Sequence, residues 1–121
     1  MSSVRALGLE IEVDYDEGRA VLSLIGDVDV FSVTVLREQL LALSAAGHHR
    51  VALDLAGLRF MDSSGLGVLV GAVKRAQAGG GGLGLIAVPE HILRVLRITG
   101  LVKVMATFAA RDEALAWLDA Q

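Results

Sequence analysis

Asp62-Ser63-Ser64 puts a carboxylate beside two hydroxyls, and those groups can serve three chemistries. A hydroxyl there can be an attacking nucleophile, an acceptor of a phosphoryl group, or a cap for backbone N–H groups. Nucleophilic catalysis needs a base and a group to orient it. The three histidines are His48, His49 and His91, and the residues around Ser63 do not follow G-x-S-x-G. His48 and His49 precede a strand, at the opposite end from Ser63. His91 opens a helix on the same side of a parallel sheet, but no second acid is placed to orient it. The adjacent His48-His49 pair matches no metal-ligand spacing, and all three histidines read as loop and helix-end surface residues. Gly79, Gly81 and Gly84 satisfy G-x-G-x-x-G but follow a helix and precede a strand, the reverse of a dinucleotide site. G-x-x-x-x-G-K-[ST] does not occur. The residues therefore propose no catalytic group, cofactor or metal. An exposed hydroxyl at a helix start remains, and sequence physics alone favours the simplest account of it, that Ser63 or Ser64 is only a helix cap.

The elements around it follow from periodicity. Leu9–Tyr15 alternates apolar and acidic residues, predicting a strand with one wet face, and Asp16-Glu17-Gly18 turns it into a second strand, Arg19–Ile25. Gly26-Asp27-Val28-Asp29 ends that strand. Asp29 is placed to cap a helix over Val30–Ala46, in which Val33, Leu36, Leu40 and Leu43 recur at helical spacing. Arg50–Leu55 is a third strand. A helix starts near Ser63, with Leu66, Leu69, Val70 and Val73 forming its apolar stripe. Its Gly65, Gly67 and Gly71 each cost about 1 kcal/mol of helix propensity, so something must approach its backbone closely. Gly79–Gly82 is a loop and Leu83–Val88 a buried fourth strand. Pro89 fits the first position of a helix that Gly100 closes. Val102–Phe108 reads as a fifth, edge strand, and Arg111–Ala120 as a last helix. This is one α/β domain over residues 1–121: a mostly parallel sheet of about five strands, an N-terminal hairpin and four helices.

Composition narrows the class. The 121 residues are 54% hydrophobic and 21% charged, which excludes disorder, and contain no cysteine. Net charge is −3 and the 11 Lys and Arg residues are scattered, so no nucleic-acid interface is expected. The N-terminus lacks the apolar core of a signal peptide, and the longest apolar run, Gly65–Val73, is too short to span a bilayer. A cytoplasmic protein without a membrane partner is the expectation.

Phe60-Met61-Asp62-Ser63-Ser64-Gly65-Leu66-Gly67 resembles the signature of the anti-sigma factor antagonists, bacterial members of the STAS domain family. The resemblance extends to Gly26-Asp27-Val28-Asp29, where the family usually carries Gly-Glu-Leu-Asp, and to Ile98–Lys103. It implies that Ser63, directly after the motif aspartate, is phosphorylated by a partner kinase, while Ser64 has a structural role. It implies further that the unphosphorylated protein binds an anti-sigma factor, often a GHKL-type serine kinase. That binding frees a sigma factor; phosphorylation blocks it and a phosphoserine phosphatase restores it. The implied partner surface is Asp29, Asp62, Ser63, Ser64, Gly65 and Leu66. Asp62 either orients the hydroxyl or a kinase residue, or caps the helix, and Asp29 is a cap first and a contact second. One departure from the family is apolar: Val30-Phe31 follows Asp29 where many members carry polar or small residues. Two other classes remain beside this reading, a STAS scaffold subunit of a transport or signalling complex, and an enzyme or nucleotide-binding protein.

Overall fold

The computed structural model describes residues 2–121. Its sheet has six strands in sequential order: β1 (Ser2–Ala6), β2 (Leu9–Asp16), β3 (Arg19–Val28), β4 (Arg50–Met61), β5 (Gly82–Ile86) and β6 (Ala106–Phe108). The first three pair antiparallel through tight turns. From β3 onward each strand lies parallel to the next, and each parallel step requires a crossover. Helices α1 (Val33–Ala45), α2 (Ser63–Ala78) and α3 (Glu90–Thr99) supply those crossovers, and α4 (Arg111–Asp119) ends the chain.

Alternation divides the side chains between the two faces. Leu9, Ile11 and Val13 of β2 join Leu22, Leu24, Leu53 and Leu55 under α1, α2 and α3. On the opposite face α4 packs Ala114, Leu115 and Leu118 onto Val21, Ala52 and Ile86. The third and fourth strands are apolar on both faces at their first halves because both halves are covered. Burying each large aliphatic in the main core contributes about 1.5–3 kcal/mol.

The structure differs from the sequence expectation in several places, among them the expected strand Leu83–Val88, which ends at Ile86 because Ala87 takes a positive φ. A sixth strand, β1, precedes the hairpin. It is an exposed edge whose residues alternate too weakly to betray it, joined by a turn at Leu7 and Gly8, both with positive φ. The third strand continues through Gly26 to Val28; Gly26 does not break it but sits where an added Cβ would lie 2.2 Å from the Gly8 carbonyl oxygen. The fourth strand runs on to Met61 instead of stopping at Leu55. A register shift against β3 between Asp54 and Gly57 leaves Leu55 and Leu58, three residues apart, both in the main core, which breaks the two-residue period. The first helix begins at Val33, not Val30, with Ser32 as its cap residue, so Asp29 caps the turn before the helix. Pro89 is the cap residue of α3 and precedes its first helical position. The expected fifth strand is shortened to β6, because Gly100 at φ 79° starts a 3-10 turn over Leu101–Lys103 and Met105 turns into the core.

The first two histidines are half-buried, contrary to the surface expectation. The Tyr15 ring centroid lies 4.9 Å from that of His48. His49 packs so closely under the glycine loop that a Cβ at Gly81 would fall 1.9 Å from its carbonyl oxygen.

Candidate functional site

Because β3 and β4 are parallel, they deliver their C-terminal ends, and the starts of α1 and α2, to one end of the sheet. The start of α2 leaves its first N–H groups without helical partners. Asp62, in extended conformation, accepts from the backbone N–H of Ser64 at 2.9 Å and of Gly65 at 3.3 Å. The same oxygen also accepts a hydrogen bond from the Ser64 hydroxyl. That hydroxyl holds the Asp62 carboxyl below the usual aspartate range, helped by the N–H groups of Gly65, Ser64 and Val30 and opposed by partial burial. Asp62 is therefore a cap, and the hydroxyl it orients is that of Ser64.

Ser63 is left free by this arrangement. It is exposed at the first helical position, and its hydroxyl enters no hydrogen bond among the described residues. Ser64 is half-buried and engaged. Two adjacent serines of the same type thus have different jobs: one closes the cap and the other offers a hydroxyl to solvent.

Beneath them, Gly65 is buried. An added Cβ would stand 2.7 Å from the Met61 Cγ and 2.8 Å from the Val28 Cγ1, so this glycine exists for helix-on-sheet packing. Leu66 is partly buried against the main core. Gly67 behaves oppositely: a Cβ there would meet nothing within 4 Å. Of the three helix glycines, one explains itself by packing and one lies open at the surface.

Asp29 forms a second cap alongside. Its Oδ1 accepts from the N–H of Phe31 and of Ser32, both at 2.9 Å. Those N–H groups, Ser32 first, lower the Asp29 carboxyl, while the nearby Asp62 charge pushes it back up. Asp29 and Asp62 therefore sit close enough to feel each other. Ser32, fully buried, donates its hydroxyl to the Asp27 carbonyl at 2.8 Å and accepts from the Asp29 N–H at 3.0 Å. No periodicity marked Ser32 as the residue that locks this turn. The lock holds Val30 and Phe31 outward, 65% and 72% exposed, and Phe60, near the end of the adjacent strand, is exposed as well.

His91 comes to the same end but its Nε2 lies 2.9 Å from the Arg59 carbonyl oxygen, and Arg59 pairs with Asp27 at 3.4 Å. Among the described residues no group of three or more potential metal ligands is assembled, and no helix is long and apolar enough to cross a membrane.

These features agree with the kinship of the chain. The STAS domain family matches residues 10–114. The anti-sigma-B factor antagonist of Bacillus subtilis is 35% identical over 88% of this chain and 96% of its own length. The anti-sigma F factor antagonist of Paenibacillus polymyxa is 32% identical over 93% of this chain and 97% of its own. Among solved structures, an anti-sigma factor antagonist from Mycobacterium paratuberculosis superimposes with a TM-score of 0.84 at 24% identity, covering 92% of this chain and 94% of that one. The superposition shows a shared fold, and the chain belongs to the STAS domain family, among its anti-sigma factor antagonists.

Proposed function

We propose that this protein is a phosphorylation-controlled antagonist: unphosphorylated, it binds an anti-sigma factor that is also a GHKL-type serine kinase, and so frees a sigma factor. The observation that carries the reading is the contrast between Ser63 and Ser64. One hydroxyl is exposed and unengaged at a helix start, and the other is consumed by Asp62. The relatives are named as antagonists of anti-sigma factors, which is the partner class proposed here.

The kinase transfers the terminal phosphoryl group of a nucleoside triphosphate to the Ser63 oxygen. A new O–P bond forms, the phosphoanhydride breaks to release the nucleoside diphosphate, and the hydroxyl proton passes to a base of the kinase and on to solvent. A phosphatase reverses the state by hydrolysis. The docking surface centres on Ser63, with Asp29, Asp62, Ser64 and the exposed part of Leu66 around it. Gly65 supports it from below.

A phosphoserine adds about −1.5 to −2 charges at neutral pH. At the start of α2 the fold tolerates that charge, so the domain stays folded. In a docking surface beside two carboxylates the same charge must be desolvated for a partner to close over it, which opposes association. Blocking is thus local and needs no rearrangement of the fold.

The deciding experiment is capture of partners from a native lysate with wild type, Ser63→Ala and Ser63→Asp as baits, read by mass spectrometry. A GHKL-type kinase held by the first two and lost by the third is the expected result. Equal capture by all three reduces Ser63 to a helix residue and favours a STAS scaffold subunit.

A further inference from the structure

The groove between α1 and α2 carries charge that the switch described above does not use. It has a volume of about 280 Å³ and is lined by Arg37 and Leu41 of α1 and by Ser63, Gly67, Gly71 and Arg75 of α2, among others. Two guanidinium groups and no carboxylate line it, in a chain whose net charge is −3. Arg37 is exposed and belongs to no ion pair among the described residues.

The geometry favours one of the two arginines as a partner for Ser63. Both helices return from parallel strands, so they run in the same direction and start at the same end. Helical side chains lean toward the N-terminus of their own helix. Arg37, one turn into α1, leans toward the end where Ser63 stands. Gly67 lines the same groove one turn along α2 from Ser63, and the space where its Cβ would stand is open, with nothing within 4 Å. Arg75 lies twelve residues along α2 from Ser63, about 18 Å at 1.5 Å per residue, beyond the reach of a serine phosphate.

We infer that Arg37 is the cation that holds the phosphate of phosphorylated Ser63, drawing it into the α1–α2 groove over Gly67. The inference rests on reading Ser63 as the phosphorylated residue. A guanidinium offers paired N–H donors that match phosphate oxygens, so the contact is directional as well as electrostatic. The clamp would cover Gly67 and take a free arginine out of the docking surface at the same moment. Phosphorylation then removes two features from a partner: an unmodified hydroxyl and an unpaired cation.

The test uses the full chain with phosphoserine built in at position 63 during synthesis, so no kinase is needed. The second phosphate ionisation, ordinarily at a pKa of about 6, is followed by phosphorus NMR. In the parent it falls by about half a unit or more, because a nearby cation favours the dianion. Arg37→Ala returns it toward the ordinary value, Arg37→Lys keeps part of the shift, and Arg75→Ala leaves it as in the parent. Thermal melts of the unphosphorylated Arg37→Ala chain, expected to match the parent, establish that the fold is intact. An identical midpoint in parent and Arg37→Ala, or reversal by Arg75→Ala, overturns the clamp. A phosphorylated chain that still captures its anti-sigma factor would instead defeat the switch, and the NMR midpoints would decide the clamp independently.

Discussion

The starts of α1 and α2 are built alike and present different surfaces. Asp29 and Asp62 each end a parallel strand, and each accepts two backbone N–H groups from the residues two and three positions on. In each turn one serine hydroxyl is consumed, Ser32 by the Asp27 carbonyl and Ser64 by Asp62. What each turn leaves exposed differs. The first displays Val30 and Phe31, and the second displays the Ser63 hydroxyl. An aspartate cap is thus a mount, and the residue just after it faces out because its neighbours are fastened. Under the proposed function, one mount would offer apolar area for affinity and the other a hydroxyl whose charge state a kinase could change.

The largest effect should come from the second mount. Ser63→Asp is expected to weaken binding of the anti-sigma factor by about a hundredfold or more, equivalent to about 2.7 kcal/mol. Circular dichroism and melting temperature should stay at wild-type values; loss of fold would show that the charge acts on stability instead. Gly65→Ala tests what holds the mount up. A Cβ at 2.7 Å from Met61 and 2.8 Å from Val28 overfills the contact, for about 1–3 kcal/mol of destabilisation in urea unfolding. Phe31→Ser tests the first mount. As an exposed aromatic it should leave stability within about 0.5 kcal/mol, while partner affinity drops about tenfold or more if Phe31 anchors the complex. Unchanged affinity would confine docking to the second mount.

Smaller effects sharpen the contrast. Gly67→Ala meets open space and replaces a poor helix former, so stability should rise by about 1 kcal/mol, opposite in sign to Gly65→Ala. Both caps should also respond to acid. The Asp29 and Asp62 carboxyls lie below their ordinary value of 3.8 in the folded protein. Unfolded chains therefore bind protons more readily, and these groups contribute stability that is present above the unfolded value. It is lost as pH falls through the folded values. Urea midpoints measured from pH 6 downward should drop in that acidic window, and Asp62→Asn should show a shallower drop.

Much of this was legible in advance where a local rule acts alone. Asp62 before two serines and glycines marks a capped helix start whatever surrounds it, and the alternation of Leu9–Val13 marks a half-wet strand. The legibility failed where distant backbone decided. The first strand carries no pattern because it is held by pairing to β2 at the sheet edge. Gly26 looked like a strand end because its reason, the Gly8 carbonyl 2.2 Å from an added Cβ, lies eighteen residues away. Nothing local to Phe31 fixes its direction, which the buried Ser32 lock decides.

The sequence by itself determined the fold class, the place of the helix start and the family signature, because caps, periods and motifs depend on residues within a few positions of one another. Tertiary structure alone decided which serine is free, which glycine is packed and which is open, and which arginine shares a groove with Ser63. Ser63 and Ser64, or Gly65 and Gly67, are the same residue types a helical step or two apart, and a rotation of about 100° per residue sends one toward the sheet and the other toward solvent. Only the position of the sheet fixes which is which.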